Sequence, residues 1–135
     1  MTDHPTFLYI EDHPASRRIM QILLVDVMGY TELTMVEDTD ELTRKLESMG
    51  KSFDVIFLDI NLKPLDGYAA CTLLRANEHF RKARIIGLTA NAMPSDMRRM
   101  EEIGFDGAIG KPLSHDTFPE QVERILAGQS IWEAT

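Results

Sequence analysis

VIFLDINLKPLDGY, residues 55–68, runs straight from apolar residues into a carboxylate, Asp59, and then breaks up around Pro64 and Gly67. A short apolar run bounded by turn residues reads as a buried strand. A strand that buries itself and then stops on an acid raises the question of what the acid is for. Working outward, the same rhythm recurs along the chain. FLYI (7–10) is an apolar run that ends at Glu11 and Asp12; Pro14 can open a helix, and Ile19, Ile22, Leu23 and Val27 follow near helical spacing up to Gly29. Residues 32–36 predict a second strand. Asp38, Thr39 and Asp40 announce a helix with Leu42, Leu46 and Met49 on one side and Gly50 after it. Beyond the opening stretch, residues 68–77 predict a helix with Ala70, Leu73 and Leu74 inward. RIIGL (84–88) predicts a strand. Pro94 opens a helix carrying Met97, Met100 and Ile103, closed by Gly104. A weak strand at 107–109 leads into GKP, and a last helix carries Phe118, Val122, Ile125 and Leu126.

Five strand–helix units in strict alternation predict an α/β fold, a parallel sheet covered by helices on both faces. Five units in this length suit the flavodoxin-like doubly wound (βα)5 sheet of order 2-1-3-4-5. The reading places one domain in residues 1–127. GQSIWEAT (128–135) is expected to be a short tail with no output domain, in which Trp132 packs back on the domain or stays mobile. No internal repeat, low-complexity tract or linker interrupts the domain.

Composition narrows the function. The chain has 135 residues, 44% of them apolar, which suits one soluble domain. No apolar run approaches the roughly 18 residues of a membrane span, and the N-terminal segment does not read as a signal peptide. One cysteine, Cys71, excludes an internal disulfide. These features point to the cytoplasm and away from a membrane. A net charge of −8 and a pI near 4.9 argue against direct nucleic-acid binding. The surplus of carboxylates favours a cation gathered among some of them.

In this architecture ligands bind beyond the carboxyl ends of the strands, where the strand order reverses. Glu11 and Asp12 end strand one, Asp59 ends strand three, Thr89 follows strand four and Lys111 follows strand five. Three carboxylates brought together resist full ionisation. Mg²⁺ relieves that, taking one or two carboxylates, a carbonyl and several waters. Asp59 is then a candidate nucleophile for a phosphoryl group, Thr89 a hydrogen-bond donor to it, and Lys111 a compensating charge. Each residue alone has a plainer reading: Glu11–Asp12 as a helix-start pair, Asp59 as a strand terminator, Thr89 as a β-former, Lys111 as an exposed lysine at a turn. Their joint placement at one end of different strands is what chance explains poorly.

Four stretches carry a resemblance: FLYIEDHPASRRIM, VIFLDINLKPLDGY, RIIGLTANAM and GAIGKPL. Over roughly residues 7–126 the chain resembles a two-component response regulator receiver domain of the CheY-like superfamily. The resemblance implies that Asp59 is the phosphoacceptor, that Asp12 binds Mg²⁺ directly and Glu11 through water, and that the main-chain carbonyl of Asn61 completes the protein's share. It implies that Thr89 is the switch hydroxyl, that Lys111 bridges the phosphoryl group, and that Pro112 is a cis-proline beside a site left open by small Ala90. It also implies a histidine kinase or histidine phosphotransfer protein as donor. A downstream protein target would be met through the helix 4–strand 5–helix 5 face. Asn61 and Asn91 occupy positions that tune phosphoryl lifetime in the family.

Two positions depart from the family pattern. Lys63 stands where proline is usual, with Pro64 next to it, and Ala108 stands where many receivers have an aromatic that swings inward. The chain therefore reads as a signalling phosphoacceptor rather than a turnover enzyme. An adaptor that is never phosphorylated is the rival from the binding class. A phosphohydrolase with an Asp nucleophile is the rival from the enzyme class, disfavoured because Asn61 sits where such enzymes want a second acid. The scattered His4, His13, His79 and His115 share no ligand spacing. The stripe of Met93, Met97, Met100 and Ile103 reads as core packing, and Arg98, Arg99, Glu101 and Glu102 as a solvated face.

Overall fold

Strand–helix alternation continues one strand beyond the expected five. The structure, a computed structural model, describes residues 4–134. Its elements are β1 (Phe7–Ile10), α1 (Pro14–Gln21), a π-helical continuation (Ile22–Val27), β2 (Leu33–Val36), α2 (Leu42–Ser48), β3 (Val55–Asp59), α3 (Gly67–Ala76), β4 (Arg84–Thr89), α4 (Pro94–Ile103), β5 (Gly107–Gly110), α5 (Phe118–Leu126) and β6 (Ile131–Glu133). All neighbouring strands are parallel, in the order β2-β1-β3-β4-β5-β6. The flavodoxin-like order 2-1-3-4-5 is therefore present, with a sixth strand added beside β5.

Side chains alternate across the sheet and build a core on each face. Leu8, Ile10, Ile56 and Leu58 pack with Leu42 and Leu46 of α2, Ala70 and Leu74 of α3 and Met100 of α4. Phe7, Tyr9, Val55 and Phe57 pack on the other face with Met20, Leu23 and Leu24 and with Phe118, Val122 and Ile125 of α5. Near-continuous burial along β1, β3 and β5 is what a parallel sheet covered on both faces requires.

Several expected inward positions face out. Ile19, Ile22 and Val27 are exposed; Leu23 is buried as expected, and Met20 and Leu24 join it in place of the other three. The segment is apolar on two sides, and its π-helical turn, closed by Met28 N–H donating to the carbonyl of Leu23, selects the second one. Leu73 and Met49 are likewise exposed, while small Cys71 takes the buried place on α3. Met93 is exposed at the start of α4, so only the later part of the methionine stripe, Met97, Met100 and Ile103, belongs to the core.

The sixth strand is formed by residues expected as tail. It pairs Gly107 with Ile131, Ala108 with Trp132 and Ile109 with Glu133. Gly110 makes this approach possible: a Cβ there would fall on the main-chain oxygen of Ala134. Glu133 ties the strand to α5, accepting from Gln121 Nε2 at 2.8 Å and from Arg124 Nη1 at 2.9 Å. Trp132 packs partly buried on the Ala108 side of the sheet. No helix among the described residues is long and apolar enough to cross a membrane.

Candidate functional site

The carboxyl ends of β1, β3, β4 and β5 meet at one edge of the sheet, and the parallel register fixes what gathers there. Asp59 is the last residue of β3 and lies in register with Leu88, one residue before Thr89, which in turn pairs with Gly110. Glu11 follows β1 directly, its N–H donating to the carbonyl of Val36. Glu11 is 1% exposed, Asp59 4% and Thr89 5%; Asp12 beside them is exposed.

Lys111 joins the two buried acids. Its Nζ donates to Glu11 Oε1 and to Asp59 Oδ1, each at 2.9 Å. Burial alone would push the Lys111 ammonium towards losing its proton. The hydrogen bonds and charges of Glu11 and Asp59 outweigh burial, and its pKa rises above that of an ordinary lysine. Its backbone N–H donates to the carbonyl of Thr89 at 2.7 Å, which fixes β5's exit against β4. Thr89 Oγ1 accepts from the N–H of Asn91 at 3.0 Å.

Glu11, Asp12 and Asp59 offer one oxygen each within 4.8 Å of one another. Three carboxylates and one ammonium leave two negative charges uncompensated among these four side chains. A hard divalent cation matches that deficit in charge and in ligand type. Asn61 lies two residues past the end of β3 and is exposed.

Local sequence explains how β3 can stop here. Gly67 opens α3 against the end of β3, where a Cβ would lie 2.7 Å from the carbonyl oxygen of Asp59 and 2.8 Å from Cα of Ile60. Asp66 caps the helix, its side chain accepting from the N–H of Ala69. The loop between is held from α2's side by buried Thr39. The Thr39 hydroxyl exchanges hydrogen bonds with the backbone of Leu65 at 2.7 and 2.8 Å, and its N–H donates to the carbonyl of Lys63. Lys63 itself is exposed. Both Lys63–Pro64 and Lys111–Pro112 are cis, the second as the resemblance implies.

Three residues here escaped the sequence reading. Tyr9 is buried, and its hydroxyl donates to Glu11 Oε1 at 2.9 Å. Burial first, then the charge and hydrogen bond of Glu11, hold its phenol pKa above the usual value. Its signal was present: residues two apart on a strand share a face, and Tyr9 is the polar-tipped member of an otherwise apolar FLYI. Arg17 donates to the carbonyl of Glu11 at 2.9 Å, and Thr39 braces the loop; neither has a local signature, since both act across the fold. Beside Lys111 a cleft of about 280 Å³ opens between Tyr9, Ser16, Ile19, Ala90 and Leu113.

The family model for the response regulator receiver domain matches residues 7–123. The chain belongs to that family. The receiver domain of the sensor histidine kinase PA1611 from Pseudomonas aeruginosa is similar at 31% identity. The match covers 96% of this chain and 97% of that one, with a TM-score of 0.74, and that structure has a magnesium ion coordinated in its active-site cleft. The chemotaxis response regulator CheY4 of Vibrio cholerae shares the fold, with a TM-score of 0.79, 24% identity, and coverage of 90% and 98%. Among curated relatives, a nitrate/nitrite response regulator protein homolog of Haemophilus influenzae is 35% identical over 132 residues, 97% of this chain and 61% of that protein. The signal transduction histidine-protein kinase BarA of Shigella flexneri is 26% identical over 126 residues. This receiver spans 93% of itself but only 13% of that kinase in the match. Receiver domains of this family are signalling modules of two-component systems rather than turnover enzymes.

Proposed function

We propose that this receiver is a phosphoacceptor switch in which Asp59 takes a phosphoryl group from a phosphohistidine on a histidine kinase or a histidine phosphotransfer protein. The observation that carries this reading is the Lys111 ammonium, 2.9 Å from both Asp59 and Glu11, in a cluster of three carboxylates. In the transfer a carboxylate oxygen of Asp59 bonds to phosphorus as the phosphorus–nitrogen bond breaks, and the departing imidazole keeps the electron pair and takes a proton. Positioning and charge stabilisation do most of the work in such a step. Asp12, Glu11, Asp59 and the main-chain carbonyl of Asn61 would hold Mg²⁺, which supplies charge neutralisation for the phosphoryl oxygens. Lys111 adds a second positive charge, and Thr89, at the end of β4, is the hydroxyl that turns to a phosphoryl oxygen.

The cleft beside Lys111 is lined by exposed Ile19 of α1, and we assign the donor's approach to that side. The output face needs revision. β5 is fully buried and its outer edge is paired with β6, so a target meeting this side touches α4, β6 and α5. With Ala108 in place of an aromatic, Trp132, paired opposite it on β6, is one large side chain packed on that side of the sheet. We place this signalling in the cytoplasm, where phosphohistidine donors act, with no catalytic turnover beyond Asp59's own phosphorylation and slow hydrolysis.

Transfer from a ³²P-labelled histidine phosphotransfer domain tests the donor class. Label is expected on the parent chain, removable by hydroxylamine as an acyl-phosphate is, and absent from Asp59→Asn. Base-stable label, or label retained in Asp59→Asn, would refute the assignment.

A further inference from the structure

Glu11 is a long, flexible acid in a buried place, and something must decide where its carboxylate points. At 1% exposure it is shielded from bulk solvent, so neighbouring protein groups orient it. Two donors converge on the same oxygen, Oε1: the Lys111 ammonium and the Tyr9 hydroxyl, both at 2.9 Å. The other oxygen, Oε2, accepts only a long 3.4 Å bond from the N–H of His13 among the hydrogen bonds described. Lys111 is divided between Glu11 and Asp59. An anion arriving at Asp59 competes for the same ammonium, because charge-assisted bonds to phosphoryl oxygens are strong. Tyr9 has no such second commitment: its ring is locked in the core beside Phe57 and Leu24, and its hydroxyl points to Glu11.

We propose that Tyr9 is a positioning residue for the cation: its hydroxyl pins Glu11 Oε1, so that Oε2 is the oxygen offered to Mg²⁺ beside Asp12 and Asp59. The inference rests on the reading of these three acids as a cation site. Groups that orient the acids and imidazoles around a metal commonly change its affinity by about 10- to 100-fold when removed.

The test is a calorimetric Mg²⁺ titration of the full chain against Tyr9→Phe, with thermal unfolding of both in Mg²⁺-free buffer. Tyr9→Phe keeps the buried ring and removes only the hydroxyl. Binding about tenfold weaker is expected in the variant, with acetyl phosphate labelling slowed at low Mg²⁺ and recovering at saturating Mg²⁺. A Glu11→Gln background separates the routes: there, Tyr9→Phe should weaken Mg²⁺ binding by much less than it does in the parent. Equal Mg²⁺ affinities of parent and Tyr9→Phe, even with a lowered melting temperature, would overturn the inference and leave the hydroxyl a strut of β1. An equal loss in both backgrounds would overturn it too, since the effect would not pass through Glu11. If the parent takes no Mg²⁺, the cation-site reading falls first and this inference with it.

Discussion

Lys111 stands between two buried acids, and its removal would leave Glu11 and Asp59 facing each other without a counter-charge. Breaking a fully buried pair costs about 3–5 kcal/mol. Lys111 retains 23% side-chain exposure, so water compensates in part and Lys111→Met is expected to cost about 1–3 kcal/mol. The loss should shrink when Mg²⁺ is added, because the cation replaces the missing charge among the same acids. Urea unfolding in chelator and in Mg²⁺ measures both values. An equal loss in the two buffers would mean that lysine and cation do not serve the same acids. At this scale the sequence was most readable. Asp59, Glu11, Asp12, Thr89 and Lys111 each sit at a strand's end, and strand ends follow from apolar runs. Thr39 was not found, because a threonine in a loop looks the same whether or not it braces a site; Tyr9 carried a signal, a polar tip on the face it shares with Glu11, that went unread.

Helices dock on the sheet with one face, and which face cannot always be read from apolar spacing. On α3 the leucine at 73 suggested an inward position, yet Gly67, Ala70, Cys71 and Leu74 are the buried set. Small residues pack here because the helix approaches the end of β3 closely, a distance set by the sheet and not by the helix's own sequence. Gly67 is the tightest point of that approach. Gly67→Ala places a methyl against backbone that cannot rotate away, and it is expected to destabilise by about 1–3 kcal/mol, as overpacking does. It should also slow phosphorylation, since the atoms that must move carry Asp59. Denaturant unfolding and the acetyl phosphate rate are the two readouts; unchanged stability would show that α3 can slide outward freely. The first helix teaches the same point differently. Ile19 and Ile22 and the pair Leu23 and Leu24 offered two apolar faces, and only packing beneath Tyr9 and Phe57 chose between them.

Across the whole molecule, the five-stranded order was legible and the sixth strand was not. SIWEA has too few residues to announce a strand; its pairing depends on Gly107 and Gly110 lying bare on β5 and on the reach of Glu133 to α5. Glu133 makes the strand's attachment depend on pH. Its bond from Gln121 lowers its pKa first, burial opposes, and Arg124 lowers it further. A depressed carboxylate contributes stability that is fully present above the unfolded value, here 4.5, and is lost as pH falls through the folded value. Trp132 is the chain's one tryptophan and lies in β6, so its fluorescence reports the strand directly. Emission is expected to hold steady from neutrality to about pH 4.5 and to shift only below it. In Glu133→Gln that acid-dependent step should be reduced. A shift centred near neutrality, or an identical profile in the variant, would separate β6 from Glu133.

The switch itself depends on one bond being made at one oxygen. Intact mass after incubation with Mg²⁺ and acetyl phosphate, beside Asp59→Asn, tests it most directly. The expected result is a single added phosphoryl group on the parent and none on the variant. No adduct on the parent, under conditions that trap a short-lived acyl-phosphate, or the same adduct on Asp59→Asn, would contradict the assignment of this receiver as a switch written at Asp59.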